Sequence, residues 1–234
     1  DTFSSRGLGD VYKRQLVGAA KSGTTSLVSY LNQHPEIFMP AMKEPKFMIA
    51  ASKPIPTGGG AIPQYISTFE EYQDLFTNIK NETAIGEAST AYLYQHEAAV
   101  PNIKSYLGDV KIIMILRNPV DRAFSAYSHL RRDGVEKLEF KAALETEDER
   151  IKNDWAFLWH YKAGGLYAAQ VRAYLKNFKQ VKVLLYDELK ESREAVVRDI
   201  YDFLDVNADF KPDTTATHNK SGKPKNCLLY TSPS

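Results

Sequence analysis

Leu16-Val-Gly-Ala-Ala-Lys-Ser-Gly-Thr-Thr-Ser-Leu-Val-Ser-Tyr-Leu31 is the stretch on which the reading of this chain turns. Leu16 and Val17 read as the end of a buried strand, Gly18 to Gly23 as a small-residue loop, and Thr24 to Leu31 as the start of a helix. A loop of this kind aims free backbone N–H groups at one point, and the helix macrodipole adds partial positive charge there. Lys21 adds a full charge inside the loop. The predicted architecture is therefore α/β, with an anion cradle at the end of one strand.

The departures from a nucleotide-triphosphatase loop are informative. Gly18 and Gly23 keep the G-x-x-x-x-G spacing, but Thr24 and Thr25 follow where Lys and Ser/Thr are the rule, and the lysine has moved back to Lys21. The next strongly apolar strand, Lys111 to Leu116, ends in Arg117 instead of an Asp that would hold magnesium. The loop reads as built for an anionic nucleotide, with no metal expected.

Lys111-Ile-Ile-Met-Ile-Leu116 is almost continuously apolar, as a central parallel strand should be. Pro119 suits the first position of the next helix, which runs to about Arg132 and carries Arg122, Ser125 and Tyr127. Arg117 and Ser125 lie ~9–12 Å apart along the chain path, so both could grip one phosphate. Further strands are expected at Ile37–Met39, Thr83–Gly86 and Val181–Tyr186. Helices are expected around Tyr65–Phe76, from Val100 to Tyr106 before Gly108, over Leu166–Phe178 and over Ser192–Leu204, where Ser192 has N-cap chemistry. Residues 133–165 read as polar and helical, with the charge run Glu145–Arg150 a solvated face. His34, before Pro35 in a turn, reads as structural. Strands alternating with helices predict a mainly parallel central sheet flanked by helices, a three-layer P-loop-like fold.

Composition is that of an ordinary globular protein: 234 residues, 43% hydrophobic, 25% charged, net charge +1. Nothing in that balance draws the chain to nucleic acid or to a membrane surface. No apolar run reaches the ~18 residues of a membrane span, and one Cys forms no intrachain disulfide. Residues 1–15 and 227–234 have no coherent periodicity and read as adapter-derived, leaving a single domain over 16–226. Two polar loops are left with open roles. Lys43-Glu44-Pro45-Lys46 is either a solvated charge cluster or a base held ionised by its neighbours, and His218 to Lys225 is either an anion contact or a linker.

Together these motifs resemble the sulfotransferases that use 3′-phosphoadenosine 5′-phosphosulfate (PAPS), most closely the carbohydrate branch with its heparan-sulfate-type and bacterial members. The resemblance covers roughly residues 16–226 and rests on Gly18-Ala-Ala-Lys21-Ser-Gly-Thr-Thr-Ser-Leu27 and on Ile115-Leu-Arg117-Asn-Pro119 through Ser125. It implies that Lys21, Ser22, Gly23, Thr24, Thr25 and Ser26 hold the 5′-phosphosulfate, with Lys21 also catalytic, and that Arg117 and Ser125 hold the 3′-phosphate. It makes Glu44 the general base and puts Lys43, Lys46, Glu87 and Ser89 on the acceptor side. Tyr167, Ser221 and Gly222 fall in segments that close over the nucleotide. Two departures stand out: Lys46 where many relatives have His, and Ala88 where the heparan-sulfate branch usually has Lys. PAPS is the implied co-substrate and a carbohydrate, or another hydroxyl-bearing molecule, the implied acceptor. The implied compartment is the Golgi lumen for a membrane-anchored eukaryotic parent and the cytoplasm for a bacterial one. A metal-dependent P-loop kinase and a non-catalytic nucleotide- or glycan-binding relative remain the alternatives.

Overall fold

The computed structural model describes residues 14–60 and 64–215. Five parallel strands form one sheet in the order β2-β3-β1-β4-β5. They are β1 (Arg14–Gly18), β2 (Ile37–Phe38), β3 (Ala84–Ala88), β4 (Lys111–Leu116) and β5 (Val181–Leu185). The principal helices are α1 (Thr24–Leu31), α2 (His96–Leu107), α3 (Pro119–Arg132), α4 (Tyr167–Asn177), α5 (Tyr186–Glu191) and α6 (Arg193–Leu204).

The strand period of two divides the sheet residues between two cores. Val17, Ile85, Ile112 and Met114 face α2, α4 and the short helix Phe47–Ala50. Leu16, Ala84, Ile113 and Ile115 face α1 and α6. That is the predicted three-layer arrangement. It explains why β4 is apolar at every interior position: each face is covered by helices. A third, smaller core joins α3 to Trp159 and Tyr161.

Several expectations are corrected. β1 runs from Arg14 to Gly18, with Leu16 and Val17 in its second half as expected, and Arg14 and Gln15, read as adapter-derived, pair with both β3 and β4. Gln15 is buried beside Tyr72, but the Arg14 guanidinium sits uneasily: burial lowers its pKa to about 10, Asp205 opposing, while its Nε and Nη1 lack partners. Residues 133–165 form two short helices, Phe140–Glu145 and Glu147–Lys152, followed by two 3-10 turns. The charge run there is only partly a solvated face. Glu145, Asp148 and Glu149 are exposed, but Glu147 and Arg150 are buried. The Glu147 carboxylate accepts from Lys162 N at 2.7 Å and Ala163 N at 2.8 Å. Arg150 donates to Glu136 at 2.7 and 3.1 Å and lies 5.0 and 4.8 Å from the Trp155 and Trp159 rings. Helical spacing predicts Leu166 and Leu175 on an inward face, yet both are exposed, and the Ser192 side chain makes no capping bond. His34 is structural, with Nε2 2.9 Å from the Asn207 carbonyl.

Candidate active site

β1, β3, β4 and β5 all run in the same direction, so the segments after Gly18, Ala88, Leu116 and Leu185 meet at one edge of the sheet. Open α/β sheets bind ligands in this crevice. A cavity of about 560 Å³ lies there, within the usual size range for ligand sites.

The loop after β1 forms one wall. Gly18 cannot be replaced without movement, since a Cβ there would lie 2.7 Å from Leu93 Cβ and 2.9 Å from the Thr90 carbonyl. Gly23 adopts φ +87° at the start of α1, where a Cβ would press on the Tyr186 ring at 3.0 Å. Lys21 also adopts a left-handed conformation, φ 68°. Its ammonium pKa is lowered, first by burial and then by Arg132 and Arg117, with Asp133 opposing. Lys21, Gly23, Thr24, Thr25 and Ser26 all line the cavity.

Arg117 and Ser125, placed by the end of β4 and the second turn of α3, line the same cavity. Arg117 Nη1 donates to the Lys21 carbonyl at 3.0 Å, and its guanidinium packs 4.7 Å from the Tyr186 ring centre. Its Nε is buried without a partner. Arginine's planar fork suits a multi-oxygen anion, so the donor set fits a phosphate-bearing ligand.

The opposite wall carries Glu44 and Lys46. The Glu44 carboxylate accepts from Thr90 N at 2.9 Å and Thr90 Oγ1 at 2.8 Å. Burial raises its pKa, while the Thr90 bonds and Lys46 work against that rise. Burial lowers the Lys46 pKa, with Glu44 opposing. A carboxylate whose pKa is raised by burial, and which lines a cavity, can accept a proton from a bound hydroxyl.

The remaining expected residues lie elsewhere. Glu87 and Ser89 do not reach the cavity wall; they are 1% and 0% exposed and sit beneath it. Ser89 Oγ donates to Glu87 at 2.9 Å and accepts from Lys46 N at 3.1 Å, so the pair supports the Lys46 turn. Both faces of β3 are covered, so Glu87 is buried whichever way it points. Lys43 is exposed and outside the wall. Ser22 is buried under the loop. Tyr167 also lies outside the wall, its phenol raised by burial, with Arg122, Arg117 and Ser22 opposing. Ser221 and Gly222 fall outside the described residues. Sequence reasoning missed His129, Tyr186, Lys190 and Arg193, which all line the cavity; Thr90, which also lines it, falls in the run Glu87 to Tyr92 whose small and hydroxyl residues suit a strand-end crevice. Thr90 and Tyr186 follow parallel strands, and that position was the signal available for them. Phe157 and Leu158, which also line the cavity, carried none.

A fold with a phosphate-type loop, a partner arginine at the next strand end and a facing carboxylate defines a class of group-transfer proteins. The chain belongs to the sulfotransferase family, whose sequence profile matches residues 15–210. It is 44% identical to a crystallised sulfotransferase from Alicyclobacillus acidocaldarius, with a TM-score of 0.82 over 88% of this chain and 85% of that one. A mouse sulfotransferase solved with PAP shares the fold, with 22% identity and a TM-score of 0.55 over 88% of this chain and 62% of that one. Among curated proteins the chain is similar to the membrane-associated sulfotransferase kil1 of Dictyostelium discoideum, 24% identical over 87% of this chain and 59% of that protein. It is also similar to mouse heparan sulfate glucosamine 3-O-sulfotransferase 3B1, 24% identical over 86% of this chain and 48% of that protein. The chain thus spans about half the length of these curated relatives. Among the described residues no helix is long and apolar enough to cross a membrane.

Proposed function

We propose that this chain transfers a sulfuryl group from PAPS to a hydroxyl (or amino) group of a carbohydrate acceptor. One observation carries the reading: the Lys21 loop, the Arg117–Ser125 pair and Glu44 all open into a single cavity. Lys21, the hydroxyls of Thr24, Thr25 and Ser26 and the amides of the loop bind the 5′-phosphosulfate. Arg117 and Ser125 bind the 3′-phosphate. The relative crystallised with PAP supports that choice of nucleotide, and the heparan sulfate enzyme supports a sugar acceptor. Lys46, beside Glu44 in the wall, meets the acceptor side. We take the chain as one domain over 16–226, and the start of β1 at Arg14 supports counting Arg14 and Gln15 with it.

The acceptor oxygen attacks sulfur in line with the bond to the 5′-phosphate oxygen. A new O–S bond forms as the old S–O bond breaks. The acceptor proton passes to Glu44, and the bonding pair leaves with the phosphate oxygen of PAP. Lys21 and the loop amides stabilise the charge that builds on that oxygen, and such pre-aimed electrostatics are usually the largest catalytic contribution.

Transfer of ³⁵S from labelled PAPS across a panel of sugars, alcohols and phenols tests the reaction. Glu44→Gln is expected to cut turnover by about 10²–10⁴-fold while PAP binding by calorimetry stays unchanged. Near-full turnover in that variant removes Glu44 as base. PAP binding with no transfer to any acceptor by the unaltered protein favours a non-catalytic module.

A further inference from the structure

We infer that Thr90 is the positioning residue for Glu44, fixing the carboxylate so that it faces the acceptor while the donor loop is held in register with it. This inference rests on the reading of Glu44 as the base. Three observations carry it. Thr90 donates to both oxygens of Glu44, through its backbone N–H at 2.9 Å and its hydroxyl at 2.8 Å. Two donors on two oxygens fix the plane of the carboxylate, and its remaining acceptor capacity serves the acceptor proton.

The second observation is the backbone that must be restrained. Glu44 and Lys46 sit at φ 55° and 56°, a region non-glycine residues rarely occupy. The end of β3 holds this turn throughout: Glu44 N donates to the Ala88 carbonyl at 3.2 Å, and Lys46 N donates to Ser89 Oγ at 3.1 Å. Thr90 is the member of this clamp that grips the reactive side chain itself. The third is the contact with the donor loop. The Thr90 carbonyl occupies the space that a Cβ on Gly18 would need, 2.9 Å from it. Thr90 is therefore wedged between the glycine that opens the phosphosulfate loop and the carboxylate that faces it.

The titratable and charged groups around Glu44 come from several elements: Lys46 on its own loop, Glu87 on β3, and, lining the same cavity, Lys21 after β1, Arg117 after β4, His129 on α3, Lys190 on α5 and Arg193 on α6. The Thr90 hydroxyl and the backbone N–H groups of Thr90 and Ala91 stabilise the ionised form, so loss of the hydroxyl leaves burial less opposed.

The test is Thr90→Val, which keeps the shape and the backbone N–H but removes the hydroxyl, beside Thr90→Ser, which keeps the donor. Thr90→Val is expected to lower kcat about ten- to a hundredfold, the range for a lost hydrogen bond to a charged group. Its PAP affinity is expected to hold, and the acid limb of its pH–rate profile to move to higher pH. Thr90→Ser restores most of the turnover. The Glu44 carboxyl ¹³C resonance, assigned by its loss in Glu44→Gln, is expected to titrate at higher pH in Thr90→Val. Unchanged kcat, an unmoved acid limb or resonance, or Thr90→Ser as impaired as Thr90→Val, each overturns the inference. Failure of the base reading is distinct: Glu44→Gln then keeps its turnover, and the resonance still reports whether Thr90 controls the carboxylate.

Discussion

Arg117 shows how one side chain serves the site twice. Its Nη1 holds the Lys21 carbonyl at 3.0 Å, and its face rests on Tyr186, which in turn presses against Gly23. Lysine keeps the charge at this position but neither the fork nor the flat stacking face. Arg117→Lys is therefore expected to weaken PAP binding about tenfold, an effect of roughly 1.4 kcal/mol. Adenosine 5′-phosphate, which lacks the 3′-phosphate, should lose less. Calorimetry with both ligands checks this, and equal losses count against a 3′-phosphate contact. Arg117 itself was legible in the sequence, because a charged residue at the end of an apolar parallel strand lands in the crevice. Tyr186 was not, because its relation to Arg117 and Gly23 arises only when β5 pairs with β4.

The segment between α3 and α4 is where local sequence misleads most. Its composition is polar, yet it folds around a buried ion pair. Glu136 accepts two bonds from Arg150 and one from Tyr161 at 2.8 Å, and Trp155 and Trp159 flank the guanidinium. A helix-period reading treats Arg150 as solvated because nothing nearby in sequence signals that Glu136 faces it. This segment supplies Phe157 and Leu158 to the cavity wall. Glu136→Ala strands the buried Arg150 charge, so it is expected to cost about 3–5 kcal/mol by urea denaturation. A loss below about 1 kcal/mol, the value of an exposed pair, contradicts that account. The elements with clear periodicity were read more accurately: β4 has the predicted bounds Lys111–Leu116, and α3 starts at Pro119 and ends at Arg132 as expected.

Stability of the molecule as a whole is tied to a carboxyl group in the middle of the sheet. Glu87 is fully buried, and burial pushes its pKa up from 4.5 to about 8, with bonds from Tyr92, Ser89 and Gln15 opposing and Glu44 adding to the rise. The folded state therefore keeps a proton that the unfolded chain releases above 4.5. The stability from this group is fully present below 4.5 and is lost as pH rises toward about 8. Glu87→Gln stays neutral and still offers an oxygen to Ser89, so its thermal midpoint should fall less than the parent's between about pH 5 and about pH 8. Parallel melting curves across that window count against a raised Glu87.

What the sequence by itself determined was the architecture and which loop and strand-end residues, Lys21 and Arg117 among them, reach the cavity. Glycine spacing, an apolar strand ending in Arg117 and a helix opened by Pro119 are local signals, and covalent geometry makes their consequences local too. Only the tertiary structure decided which face each polar group took. Glu87 and Ser89 went beneath the cavity, Glu44 into its wall, and Lys43 out to solvent. That choice depends on which elements meet. Parallel strand order brings Thr90 against both Gly18 and Glu44, 46 positions from the latter in the chain. Hydrogen bonds between segments so far apart leave no period or spacing in the sequence to read.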